Sequence, residues 1–322
     1  MVLMGFGNYS HEAHLALTRG RSAAAAPVFT QAQAHPLLSP KNTRRECRDS
    51  ADHPDTLGIV FALDVTGSMG RIPAALASAT LPTFMASLEA ARITDPQLCF
   101  MAIGHPADRS PLQVGQFEST AALIDGWLTR LHLEGGGVGK HEGYELGMWY
   151  AAQHMALDCV EKRGRRGFLF LTVDTLPNPA LSRLDAARIL GETLEHDVPI
   201  RDVIDVLQRR FEPFVLIAPG SARGVERAWR DLLGDRVVLL QHHEDVAHVA
   251  AGLIALLEGA AASLTVFVDQ LTAQGMGRRK SSRIARALVC FAASIHRDGA
   301  PLPGSAEGRI RLPLPRASGI ER

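Results

Sequence analysis

Leu57 to Leu63, LGIVFAL, is an apolar run of strand length with no polar side chain in it. A run of this kind fits a strand covered on both faces, and such strands belong to parallel sheets closed by helices on either side. The sequence that follows keeps to that plan. Further strands are expected at Gln97 to Ile103, Leu112 to Phe117, Phe168 to Val173, Phe214 to Ala218 and Val237 to Leu240. Helical apolar spacing separates them at Ile72 to Arg92, Thr120 to Leu131, Tyr144 to Leu157, Leu181 to Leu194, Arg201 to Phe211 and Ala222 to Leu233, with a buried helix at Val246 to Leu257. Alternation over about two hundred residues predicts an α/β fold with a doubly wound, mostly parallel sheet of about six strands.

This domain is expected over residues 56–260. Residues 1–55 read as an N-terminal extension, with a short helix at His11 to Arg19 and a charged stretch, KNTRRECRDSADHPD, that reads as a solvated linker. Residues 261–322 read as a C-terminal helical extension and tail. The chain carries 34 Lys and Arg against 34 Asp and Glu, so no global field draws it to nucleic acid or to an anionic membrane, and neither is expected as a partner. The basic group Arg278, Arg279, Lys280, Arg283 and Arg286 reads as a solvated helix face. No apolar run reaches the roughly 18 residues of a membrane helix, and the first residues lack a basic-then-apolar leader pattern. Cys47, Cys99, Cys159 and Cys290 are far apart and read as small core residues in a reducing cytoplasm.

Ligands of open α/β sheets bind beyond the carboxyl ends of the strands. The first apolar run ends in Asp64-Val65-Thr66-Gly67-Ser68-Met69-Gly70. A carboxylate and two hydroxyls at alternate positions, in a turn loosened by glycine, can converge on one hard cation, because magnesium takes oxygen ligands in octahedral geometry. Phe168 to Val173 ends in Asp174, with Thr175 beside it and Pro177 closing the turn. GGGVGK at 135–140 lacks phosphate-loop spacing, since that motif would need glycine at 134 and Ser or Thr at 141, where Glu134 and His141 stand. His242, His243 and His248 read as surface or capping residues, and Trp127, Trp149 and Trp229 as packing residues.

At Asp64 to Ser68 and Asp174 the chain resembles the von Willebrand factor A family, whose metal-ion-dependent adhesion site is written DxSxS, then a threonine in a second loop, then an aspartate in a third. The resemblance covers roughly residues 57–258. It implies that Asp64, Thr66 and Ser68 form the first loop, threonine replacing the first serine but keeping its hydroxyl, and that Asp174 forms the third. The second loop, Gly135 to Glu142, has no threonine, which leaves that place to a water or to Glu142. The implied cofactor is Mg2+, or Mn2+ or Ca2+. The implied partner is a protein that supplies an Asp or Glu to the metal, and an adaptor role in an intracellular bacterial complex, beside an AAA-type ATPase, a kinase or a phosphatase, follows from the same resemblance. A binding module is expected over an enzyme, because metal-assisted hydrolysis also needs a positioned base. Two alternatives stay open: a metal-dependent hydrolase or phosphotransferase using His141 or Glu142, and a scaffold whose metal site has decayed. A haloacid-dehalogenase-type phosphotransferase would want a second carboxylate where Thr66 stands.

Overall fold

The computed structural model describes residues 7–24, 28–135 and 141–297. In chain order the first elements are α1 (His11–Ala24), β1 (Arg45–Cys47), β2 (Thr56–Asp64), α2 (Arg71–Ala75), α3 (Leu81–Ala90), β3 (Asp95–Ile103) and β4 (Leu112–Val114). There follow α4 (Ala121–Thr129), β5 (His141–Glu142), α5 (Tyr144–His154), β6 (Met155–Leu157), α6 (Asp158–Glu161), β7 (Gly167–Val173), β8 (Leu176–Pro177), β9 (Ala180–Leu181), α7 (Arg183–Asp185) and β10 (Val198–Pro199). The last are α8 (Ile200–Gln208), β11 (Phe211–Ile217), α9 (Val225–Leu233), β12 (Val237–Leu239), α10 (Val246–Leu257), α11 (Leu264–Ala273) and α12 (Arg278–Arg297).

The fold is mixed α/β around a mostly parallel central sheet of order β12-β11-β7-β2-β3-β4. Only the edge strand β4 runs antiparallel, against β3. The apolar run lies near the middle of this sheet, and every residue of β2 is buried. Register places Phe61 opposite Phe100 on one side and Phe170 on the other, with Phe214 opposite Phe170. The four rings form a row across the sheet at centroid spacings of 5.4–5.9 Å. Phe84 of α3 stands edge-on against Phe61, inside the row, and Phe291 of α12 against Phe214, at its end. Helices α3, α11 and α12 pack on α10, whereas α5 packs on α8.

Three stretches differ from the sequence reading. The helix expected through Leu157 stops at His154, and Met155–Leu157 turns into a strand paired in parallel with β1. The charged stretch around β1 is therefore no solvated linker: Cys47 is fully buried, and three paired residues are too few to show a period of two. The helix expected over Leu181 to Leu194 is broken into β9, α7 and one wide helical turn that ends at Gly191, whose φ of 77° closes it, before β10 returns to pair with β9. Cys290 is exposed, not a core residue.

Asp49 ties this N-terminal stretch to the sheet. Its carboxylate accepts from the Thr56 N–H and hydroxyl at 3.2 and 2.7 Å, from Lys162 at 3.2 Å, and from Arg163 at 2.7 and 3.1 Å. Those donors hold its pKa far below the usual carboxylate range, against the opposing effect of burial. Asp49→Ala strands them and is expected to cost about 2–3 kcal/mol, read as a lowered urea midpoint at unchanged m. A loss below about 0.5 kcal/mol would show the network to be idle.

Candidate functional site

Two neighbouring strands, β2 and β7, end in the carboxylates singled out from sequence. Asp64 is the last residue of β2 and is fully buried; Asp174 follows the last residue of β7. The Asp64 N–H donates to the Thr172 hydroxyl oxygen of β7 at 3.1 Å, which locks the two strand ends together. After Asp64 the chain turns at once. Gly67 adopts φ 36°, a conformation that a side chain at this position would resist, and the turn Gly67–Gly70 follows.

That turn folds Thr66 back onto Asp64. The Thr66 N–H and hydroxyl both donate to Asp64 Oδ1, at 2.9 and 2.6 Å. The Tyr144 hydroxyl donates to Asp64 Oδ2 at 2.6 Å and lies 3.1 Å from the Thr175 hydroxyl. A carboxylate offers about four lone-pair directions, so these three bonds leave one free on Oδ2. With its proton committed to Asp64, the Thr66 hydroxyl presents its lone pairs outward, as a cation requires. Trp229 of α9 seals the far side: its ring packs edge-on against Tyr144 at 5.7 Å, and its indole N–H donates to the Thr175 carbonyl at 3.1 Å.

Glu142 joins this group from a different part of the chain. Strand β5 pairs with β8, just beyond Asp174, with His141 opposite Leu176 and Glu142 opposite Pro177. Gly143 N–H donates to Gly104 O at 3.0 Å, which brings the loop after β3 and its Asp108 alongside. Asn178 Nδ2 donates both to Glu142 O at 3.1 Å and to Glu145 Oε1 at 3.0 Å. The Glu142 side chain is 3% exposed, and its Oε2 is buried without a hydrogen-bond partner among the described residues.

Electrostatics follow from this crowding. Burial pushes Glu142 up to about 8, with Asp64, Asp108, Asp174 and Glu145 all adding to it. Burial likewise raises Asp64 to about 6, Asp174 adding to the effect while the bonds from Thr66 and Tyr144 oppose it, and raises Glu145 to about 7. Glu145 lies in the first turn of α5, where the helix dipole favours negative charge. These donors are oxygens throughout, the set that suits magnesium, manganese or calcium and not a soft metal. Among the described residues no three His, Cys, Asp or Glu side chains already converge as a ready-made metal cluster.

Of the residues expected from sequence, Asp64 and Thr66 are in direct contact, and Asp174 and Glu142 lie within electrostatic reach of Asp64. The Ser68 side chain and the glycine-rich residues 136–140 lie outside the described residues. His141 is held at 3.3 Å from Leu176 O and has no bond to the carboxylates. Tyr144, Glu145, Asn178 and Asp108 escaped the sequence reading, which had noted Thr175 only as the neighbour of Asp174. His242 accepts from the Glu244 N–H as a cap, while His248 is buried in α10.

No family model matches the chain, and no curated protein matches it in sequence. Some solved structures are similar. The pilus adhesin SpaC from Lactobacillus rhamnosus GG, in its open conformation, is 12% identical over 67% of this chain and 31% of that one, at a TM-score of 0.45. Proximal thread matrix protein 1 (PTMP1) from the mussel byssus is 11% identical over 62% of this chain and 46% of its own, at a TM-score of 0.39. The chain thus spans under a third of the adhesin and under half of the mussel protein. Likenesses this distant do not bear on activity. Among the described residues no helix is long and apolar enough to cross a membrane.

Proposed function

We propose that this chain is a metal-dependent protein-interaction module of the von Willebrand factor A type. Asp64, Thr66, Ser68 and Asp174 hold a hard dication, directly or through water, and an Asp or Glu of a partner protein completes the shell. The observation that carries this reading is that Asp64 and Asp174, at adjacent strand ends, lie within electrostatic reach of each other and of Glu142, whose buried Oε2 has no hydrogen-bond partner among the described residues. A doubly wound sheet suits it. Strand β2 leads to β3 on one side of the sheet, while β7 leads to β11 and β12 on the other; where the sense of connection reverses in this way, right-handed crossovers put their helices on opposite faces as a rule, and a ligand crevice is expected between the two strands, here β2 and β7. Both aspartates lie at the carboxyl ends bordering that crevice.

A bound dication would supply Lewis acidity for the incoming carboxylate. Thr66 and Tyr144 fix the orientation of Asp64, Trp229 fixes Tyr144, and α5 carries Glu145 behind them. The adaptor role beside an AAA-type ATPase, kinase or phosphatase, and a cytoplasmic setting, remain part of this proposal. The hydrolase alternative would need a base at the cation, and His141 is bonded away toward Leu176 O.

A pull-down with the immobilised full chain tests it. The partner captured in magnesium should be released by chelator and lost with Asp64→Ala, whose circular dichroism stays native. Capture indifferent to both changes would overturn the reading.

A further inference from the structure

The carboxylates near Asp64 outnumber what one dication can balance. Asp64, Asp108, Glu142 and Glu145 form no ion pair with a Lys or Arg among the described residues, and together they carry a formal charge of −4 before Asp174 is counted. One dication leaves that group at −2. A partner's carboxylate approaching so negative a place would be repelled, since like charges in a poorly screened site cost several kcal/mol at effective dielectric constants of about 20.

A second orphan points to where the balance is made. Glu145 is 3% exposed, and its Oε2 is buried with no hydrogen-bond partner among the described residues, as is Glu142 Oε2. Buried polar atoms are nearly always satisfied, and leaving one bare costs about 1–3 kcal/mol, more when charged. The two glutamates are three positions apart, and Glu145 lies within electrostatic reach of the Glu142 carboxyl; the Asn178 amide donates to Glu145 Oε1 and to the Glu142 backbone carbonyl at once, which ties the Glu145 side chain to the Glu142 backbone. That donation uses the Asn178 nitrogen and leaves its Oδ1 as a neutral oxygen ligand.

We infer that Glu142, Glu145 and Asn178 form a second divalent-cation site, with Glu142 bridging it to the cation at Asp64. It rests on the reading above only through that shared bridge. Hard oxygen donors, two of them anionic and one a neutral amide, suit calcium or manganese, the remaining positions being filled by water. A second dication brings the five carboxylates, Asp174 included, from −3 to −1, which removes most of the repulsion that an acidic partner residue would meet.

Counting bound Mn2+ by the loss of the free-ion magnetic-resonance signal, on the full chain at pH 7.5, decides the matter. Wild type should take up two ions per chain, Asp64→Ala one, and Glu145→Gln one, with circular dichroism native in each. Wild type taking up no ion, or Glu145→Gln binding as many ions as wild type, overturns the second site because its orphaned oxygens then hold protons. One ion that is lost in Asp64→Ala but kept in Glu145→Gln leaves the first reading standing alone. One ion lost in Glu145→Gln but kept in Asp64→Ala sinks the first reading and upholds this one. Should Glu145→Gln fail to fold, the wild-type stoichiometry by itself still separates one site from two.

Discussion

Phe61→Ala is expected to lower the free energy of unfolding by about 3–5 kcal/mol, the range of buried phenylalanine truncations. Phe61 is fully buried at the middle of β2, between Phe100 and Phe170 on neighbouring strands and beneath Phe84 of α3. Truncation removes the ring from three partners at once and leaves a cavity where strands on both sides are fixed by their ladders, so collapse can recover little. Domains of this kind are stable by about 5–15 kcal/mol in total, which makes the loss a large fraction. Urea unfolding at constant m would measure it, and a loss under about 1 kcal/mol would mean that the aromatic row does not organise the core. The cost should also reach the site, because Asp64 is three residues further along the same strand.

The second large effect is a fall in stability on the alkaline side when metal is withheld. Asp64, Glu145 and Glu142 are raised in the fold to about 6, 7 and 8, from ordinary values near 4. The folded chain thus binds more protons than the unfolded one, so the stability these groups confer is complete below about pH 4 and is lost as pH rises through 6 to 8. His14 and His248 act in another window. Burial lowers both to about 4, so the stability they confer is present above 6.5 and disappears as pH falls toward 4. Above pH 6.5 the carboxylates act first, and the buried Cys47, Cys99 and Cys159 thiols, which burial raises, join them as pH nears 9. In chelator, stability should drop by on the order of 3 kcal/mol between pH 6 and 9, and manganese should flatten the slope because the cation replaces the protons. Equal slopes with and without manganese would place the acids outside any metal site.

Much of this arrangement could be read in the sequence because its strongest signals are local. LGIVFAL had to be a covered strand, and the run of ligand-type side chains from Asp64 to Ser68 directly after it lay where open sheets bind ligands. Asp174 was found by the same logic. What escaped depends on contacts between distant segments. Tyr144 opens a helix whose sequence, YELGMWYAAQH, has apolar residues all round, so nothing marks its hydroxyl as aimed at Asp64, 80 positions away. Glu145 and Asn178 are joined across 33 positions by a single amide, through a two-residue strand pairing too short for any periodicity to reveal. The helix expected over Leu181 to Leu194 failed for a related reason: its apolar spacing is genuine, but Gly191 ends the turn and the chain must return to pair with β9. The buried charged stretch around Asp49 misled because a network of ion pairs has the same composition as a solvated linker.

A manganese-loaded crystal, examined for its anomalous signal, tests the central claim most directly. The account predicts a peak in the crevice between β2 and β7, its protein oxygens drawn from Asp64, Thr66, Ser68 and Asp174 directly or through one water. A crystal grown in millimolar manganese with no peak there, and with the Tyr144 hydroxyl still donating to an otherwise unliganded Asp64, would contradict it.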